Sequence, residues 1–283
     1  MADRPTRFKA WQHVANVARD ASELTRMGSN LKTRVAVGRA IQEGRVRLAY
    51  QPVVKAASTK QIAFWEALVR IRDKNGELLS PGEFLPEISG TSLAVLLDCE
   101  VLRLVIDQLA SRADLRLSVN VGPDSFAHPE WIRVLEAGLE TSPDLALRLI
   151  IEITEDVVTS DHPQGAAFLN YLRDAGVSLA LDDFGGGATS IRQFRETRFD
   201  ILKLDGNLCR SLHEDRDTQV LVGAMIGIAQ HYEMLTVAEH IDSAEAAAAA
   251  ARVGIDSLQG YRFGKPSTDI PFKVEKTARR SAG

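Results

Sequence analysis

Seven stretches of the chain set a polar side chain at the end of a short β-forming run, and together these residues could do chemistry: Glu66, Asn120, Glu152, Asp182 with Asp183, Lys203 with Asp205, Glu239 and Gln259. One such acid alone is equally well read as a helix cap or a surface ion-pair partner. Seven in succession imply a shared cleft. Carboxylates crowded there would repel one another and hold their protons unless cations neutralise them. Oxygen donors without a cysteine or a clustered histidine suit Mg2+ or Mn2+ better than zinc. Consecutive strand residues face opposite ways, so Asp182 and Asp183 can share a site only where the strand ends and the chain turns, as Phe184-Gly185-Gly186-Gly187 suggests. Those glycines match no Walker pattern. Beside such acids, Lys203 could pair with Asp205 for structure, or hold an anionic water or phosphate oxygen.

These residues can meet only if the runs that carry them lie side by side. Strands are expected near Val46 to Val54, Ile62 to Ile71, Arg116 to Asn120, Ala146 to Ile153, Val177 to Leu181, Ile201 to Leu204, Leu235 to Ala238 and Ile255 to Leu258. Helical periodicity falls between most of them, at Ser92 to Ala110, Pro163 to Ala175, Asp217 to Tyr232 and Ser243 to Val253. About eight strands alternating with helices point to a TIM-like (β/α)8 barrel, whose C-terminal strand ends carry the site. An open doubly wound sheet is the alternative, but no G-x-G-x-x-G follows the first strand. Upstream, Leu31, Val35 and Ile41 can share a helix face ending near Gly44, a segment expected to close the bottom of the barrel. Trp11, Val14, Ala18 and Ala21 make a further amphipathic stripe within an extension over residues 1–29, and residues 273–283 read as a polar tail.

Composition narrows the classes. The 283 residues are 45% apolar, and 34 basic against 38 acidic side chains leave a net charge of −4, which disfavours a DNA-binding surface. Cys99 and Cys209 match no metal or redox spacing and suit a reducing cytoplasm. No apolar run nears the roughly 20 residues that cross a bilayer, so no membrane span is expected.

Glu66-Ala67-Leu68 with Arg70, preceded by Tyr50-Gln51-Pro52, resembles the signature of the EAL-domain cyclic-di-GMP phosphodiesterases. Further blocks follow in that family's order: Ser118-Val119-Asn120, Ile151-Glu152-Ile153-Thr154-Glu155, Leu181-Asp182-Asp183-Phe184-Gly185, Leu202-Lys203-Leu204-Asp205, Val237-Ala238-Glu239 and Gln259-Gly260-Tyr261. The resemblance covers residues 30–272. It implies a barrel whose first strand is antiparallel to the others, and hydrolysis of cyclic-di-GMP to linear pGpG with two Mg2+ or Mn2+ ions. By the same resemblance, Glu66, Asn120, Glu152 and Asp182 would bind one metal, and Asp182 with Asp183 the second. Lys203 and Glu239 would position the attacking water, and Gln259 would support that cluster and help to bind substrate. Gln51, Leu68 and Arg70 would bind substrate, Asp205 would be a further site carboxylate, and Glu155 would anchor the loop after Asp183.

Three blocks depart from the family's usual pattern. DDFGTGYSS is here Asp182-Asp183-Phe184-Gly185-Gly186-Gly187-Ala188-Thr189-Ser190, AEGVET is Ala238-Glu239-His240-Ile241-Asp242-Ser243, and the acid usual after FIP-x-A is replaced in Phe84-Leu85-Pro86-Glu87-Ile88-Ser89. The glycine-rich Gly185 to Ser190 loop is expected to be mobile, and His240 to be an exposed loop residue. The leading reading is an active cytoplasmic phosphodiesterase. A receptor that binds the dinucleotide and signals through a protein partner is the second, and a metal-dependent barrel lyase with Lys203 as base the third. No diguanylate-cyclase GGDEF block is present, so regulation is expected from a protein partner, expression or residues 1–29; a homodimer is a further candidate assembly.

Overall fold

The computed structural model describes residues 28–159, 164–186 and 198–270. The stripe at Trp11 to Ala21, loop residues 187–190 and the tail at 273–283 lie outside them.

The strands are β1 (Val46–Lys55), β2 (Ser58–Arg72), β3 (Leu78–Leu79), β4 (Leu117–Asn120), β5 (Leu149–Thr154), β6 (Ser178–Phe184), β7 (Ile201–Leu204), β8 (Leu235–Ala238) and β9 (Ser257–Gln259). The helices are α1 (Gly28–Gln42), α2 (Leu85–Ile88), α3 (Ser92–Ser111), α4 (Pro129–Thr141), α5 (Glu155–Thr159), α6 (Gly165–Asp174), α7 (Gly206–Ser211), α8 (Arg216–His231) and α9 (Ala244–Val253). Eight strands close a ring in the order β1-β9-β8-β7-β6-β5-β4-β2, with β2 pairing back to β1 and β3 appended to β2. From β2 and β4 through β9 the ring is parallel. Within the ring β1 runs antiparallel, both to β2 and to β9, and the appended β3 is antiparallel to β2. This is a TIM-type barrel with its first strand reversed.

Two-residue alternation sorts the side chains. Val53, Phe64, Ile150, Ala180, Ile201 and Val237 fill the barrel interior as one buried cluster. Their neighbours Val54, Trp65, Ile151, Leu181, Leu202 and Ala238 face the helices and join the larger core. Two positions beyond each inward apolar residue stands a polar one: Glu66 after Phe64, Glu152 after Ile150, Asp182 after Ala180, Lys203 after Ile201, Glu239 after Val237. On β1 the order inverts, Gln51 coming two before Val53, because that strand runs the other way. An apolar plug below and a polar layer above thus follow from one period.

The structure corrects three expectations. α1 does not close the bottom of the barrel; it packs outside, against α2, α3 and β2, and Arg34 Nε donates to the Glu87 carbonyl at 2.5 Å. The reversal of β1 is the reason, since Val46 pairs with Ile71 at the far end of β2 and the chain must arrive there. Its buried face is Val37 and Ala40, while Val35 is 37% exposed. β5 begins at Leu149 rather than Ala146, because Pro143–Arg148 forms a 3-10 turn whose Arg148 guanidinium donates to the Leu109 and Arg112 carbonyls. β6 continues to Phe184, carrying both aspartates within the strand.

Candidate active site

Lys203 sits at the centre of the polar layer, 1% exposed. Its ammonium lies 2.7 Å from Glu152 Oε2, 2.8 Å from Asp182 Oδ1, 2.8 Å from Glu239 Oε1 and 3.8 Å from Glu66 Oε2. Glu66 is tied on both oxygens: Asn120 Nδ2 donates to Oε1 at 3.0 Å and Gln259 Nε2 to Oε2 at 2.5 Å. Gln259 Nε2 also reaches Gln51 Oε1 at 3.3 Å, and Gln51 Nε2 donates to the Gly264 carbonyl at 3.2 Å. Residues from β1, β2, β4, β5, β6, β7, β9 and the end of β8 therefore meet in one network.

Four carboxylates around one ammonium set its charge state. Burial opposes the charge on Lys203, but Asp182, Glu152, Glu239 and Glu66 together outweigh it and hold the proton well above the usual lysine range. Two of the acids, Glu152 and Glu239, move upward too. Burial, then Glu66, pushes Glu152 well above the carboxylate range against the pull of Lys203. Glu239 is raised to about 8, by burial and then, against Lys203, by Asp182 and Glu66. The charged lysine is the direction we adopt for the Lys203–Glu152 pair, because four neighbours hold that proton and one lysine cannot satisfy four acids.

Surplus negative charge is what a cation site needs. Glu152 Oε1 is buried without a hydrogen-bond partner, and Asp182, Asp183 and Glu239 bring carboxylate oxygens within 4.8 Å of one another. Hard oxygen donors in this excess fit a divalent metal ion.

Asp183 joins that trio by a backbone device. The β6–β7 register breaks between Leu181 and Phe184, and Asp183 takes φ +56, in the left-handed region. In a regular strand it would face away from Asp182; the bulge turns it back. Burial, then Asp182, raises its carboxyl above the ordinary value. The Gly185 amide donates to Glu155 Oε2 at 3.4 Å. Asp205 makes no ion pair with Lys203 among the described residues; it caps α7, accepting from the Asn207 amide at 2.8 Å.

Arg70 and Leu68 stand further along β2. Burial lowers the Arg70 pKa, against Tyr261 and Glu66, and Leu68 lines a cavity of about 310 Å3 with Asn120, Gly122, Asp98 and Asp124. Larger cavities of about 660 and 600 Å3 lie elsewhere, lined by none of the strand-end residues. Sequence reasoning passes over Asp98, whose only signal is a lone acid inside the apolar run Leu96-Leu97-Asp98-Cys99. It accepts from the Gly122 amide at 3.1 Å, and burial pushes its carboxyl up to about 6. His240 is exposed, as expected, and its Nδ1 lies 3.3 Å from Arg210 Nη2.

Fold and site together define an acid-lined barrel of the TIM type, reversed in its first strand and suited to metal-assisted chemistry. The EAL domain family matches residues 34–266, and the chain belongs to it. The cyclic di-GMP phosphodiesterase PdeF of Escherichia coli is 29% identical over 244 residues, which take in 83% of this chain and 32% of PdeF. The bifunctional diguanylate cyclase/cyclic di-GMP phosphodiesterase MucR of Pseudomonas aeruginosa is 30% identical over 234 residues, 80% of this chain and 34% of MucR. The chain spans about a third of the length of these curated relatives. Among solved structures, the PaMucR phosphodiesterase in complex with c-di-GMP superposes with a TM-score of 0.76 at 27% identity, covering 84% of this chain and 98% of that one. The Xanthomonas citri FimX EAL domain in complex with c-di-GMP gives 0.77 at 25%, covering 90% and 100%. No described helix is long and apolar enough to cross a membrane.

Proposed function

We propose that this chain hydrolyses cyclic-di-GMP to linear pGpG with the help of two Mg2+ or Mn2+ ions. The observation that carries the reading is the convergence of Glu66, Glu152, Asp182 and Glu239 on buried Lys203; a domain that only bound the dinucleotide would have no need of so many buried acids. Glu66, Asn120, Glu152 and Asp182 would hold one cation, and Asp182 with Asp183 the other. Bound there, such cations supply Lewis acidity and lower the pKa of water. Lys203 and Glu239, 2.8 Å apart, would orient the attacking water, with Lys203 offering positive charge to developing negative charge on phosphate oxygen. Gln259 and Asn120 lock the rotamer of Glu66. Gln51, Leu68 and Arg70 would bind the dinucleotide, the guanidinium against a phosphate and Leu68 against an apolar surface.

The residues changed after Asp183 and the long Glu155–Gly185 contact favour one second reading, a receptor with weak or no turnover that signals through a protein partner. Incubating the purified chain with cyclic-di-GMP and Mg2+ or Mn2+ while following pGpG by chromatography separates them. Metal-dependent product supports the enzyme; tight binding without product supports the receptor.

A further inference from the structure

Beyond Lys203 and its acids, one turn at the mouth of the site is packed more closely than its exposure suggests. Glu239, His240 and Ile241 leave β8 in sequence, and His240 takes φ +52, a conformation that glycine enters freely and histidine at a cost. Its ring is specifically seated. Arg210 Nη2 lies 3.3 Å from His240 Nδ1, and since a guanidinium only donates, Nδ1 is the acceptor in that contact. A Cβ on Gly206 would stand 1.8 Å from that Nδ1 and 2.6 Å from the adjoining ring carbon, so the ring occupies the space a side chain there would fill. On the other flank, a Cβ on Gly260 would lie 2.2 Å from the Ile241 carbonyl oxygen, and the Ile241 amide donates to the Gln259 carbonyl at 2.9 Å. The turn is thus gripped between the start of α7 and the end of β9. Glu239, its first residue, is one of the three carboxylates that come within 4.8 Å of one another.

We infer that His240 is a positioning residue: its ring, wedged over Gly206 and tied to Arg210, fixes the left-handed turn and so holds the Glu239 carboxylate in register with Asp182, Asp183 and Lys203. The inference rests on the proposed metal-assisted function, which gives that register its purpose. A merely space-filling histidine would be replaceable by glycine with no loss beyond packing, and the backbone would relax. A positioning histidine gives the opposite pair of results, a turn at least as stable and a site less well made.

Four variants test this: His240→Gly, His240→Asn, Gly206→Ala, and Gly206→Ala combined with His240→Gly. Each is examined by calorimetric Mn2+ titration without substrate, by thermal unfolding, and by kcat and KM for cyclic-di-GMP. His240→Gly should keep or raise the melting temperature yet weaken Mn2+ about 10-fold, the scale of lost support behind a metal ligand, and lower kcat similarly with KM little changed. His240→Asn should recover most of both, because asparagine tolerates the left-handed region and offers Arg210 an acceptor. Gly206→Ala should show a comparable loss that adding His240→Gly does not deepen. Unchanged Mn2+ affinity in His240→Gly, no recovery in His240→Asn, or losses that multiply in the double variant would each overturn the inference. If Gly206→Ala fails to fold, the glycine and asparagine variants decide alone. Wild-type protein that binds Mn2+ but cleaves nothing would remove the substrate reading, while the Mn2+ titrations would still decide the role of His240. A wild type that binds no Mn2+ overturns both.

Discussion

Around Lys203 the site is made of regular strand, and around Asp183 it is made of a bulge and turns. Glu66, Glu152, Asp182 and Lys203 inherit their positions from hydrogen-bonded ladders on β2, β5, β6 and β7. Each stands two residues beyond an inward apolar side chain, and Lys203 and Glu152 are wholly enclosed. Asp183, Glu155, Asp205 and His240 are placed one at a time, by a bulge, a 3.4 Å hydrogen bond, a helix cap and a ring wedged over Gly206. Strand-borne groups share their support with the whole sheet, so disturbing one disturbs the fold. Turn-borne groups have private supports, so disturbing one should change the chemistry while sparing the fold.

The strongest test of that contrast is Lys203→Met. Removing one partner of a buried ion-pair cluster typically costs about 3–5 kcal/mol, here with the acids left facing one another. Turnover should fall ~10²–10³-fold, the range lost with key electrostatic groups, and chemical denaturation should show the destabilisation. A stable, active Lys203→Met protein would break the comparison at its centre.

Glu66→Gln and Asp183→Asn should each lower turnover at least ~10²-fold, but they should part company in stability. Glu66→Gln disturbs the hydrogen bonds from Asn120 and Gln259, whereas Asp183→Asn removes a repulsion and should leave the metal-free protein as stable as before. Wild-type rates in both would place the chemistry elsewhere. Replacing Mg2+ by Ca2+ should abolish turnover in the unmodified protein, because the larger ion tolerates looser coordination; equal rates in the two would sink the two-metal assignment.

A smaller effect is expected at the rim. Glu155→Ala removes the acceptor for the Gly185 amide, and initial rates against Mg2+ should show a half-saturation a few-fold higher, with Mn2+ relieving part of the defect because it binds such donors more tightly. Unchanged half-saturation would show that this contact supports nothing. Least affected in chemistry should be the protein's response to pH through Asp98. Its folded pKa, about 6, lies above the ordinary carboxyl value, so the stability it contributes is present at low pH and is lost as pH rises through about 6. Asp98→Asn should flatten that part of the unfolding profile; an unaltered profile would mean Asp98 is not its source.

Legibility in the sequence follows the same division. The polar residues of the strand ends are readable because period two and the turn signals after each run fix which side faces in. The reversal of β1 leaves no such mark, since an inverted alternation reads the same as a direct one; only the resemblance of Tyr50-Gln51-Pro52 and Glu66-Ala67-Leu68 to a family pointed to it. α1 was misplaced for that reason, and its apolar residues satisfy two helical faces until a neighbour selects Val37 and Ala40. The doubled aspartate announced a turn, but the bulge within β6 depends on how β7 pairs beside it. Asp98 gives no readable signal because its partners, Gly122 and the cavity wall, are distant in sequence.

The reversed strand also changes the order in which the ring can assemble. Parallel neighbours require a long crossover, while β1 and β2 are joined by a tight hairpin. Gln51 therefore comes opposite Glu66 through a local event with little loop entropy to overcome. The ring closes where β9 pairs with β1, Gln259 opposite Val53; the side-chain contact beside it, between Gln259 and Gln51, spans 208 positions of sequence, and contacts of that separation form slowly. β9 is thus expected to dock onto the edge of a hairpin already in register, and its docking brings Gln259 within reach of Gln51 and Glu66. Completion of the barrel and completion of the hydrogen bonds around Glu66 are one step, so a chain whose ring has not closed has no finished site with which to act.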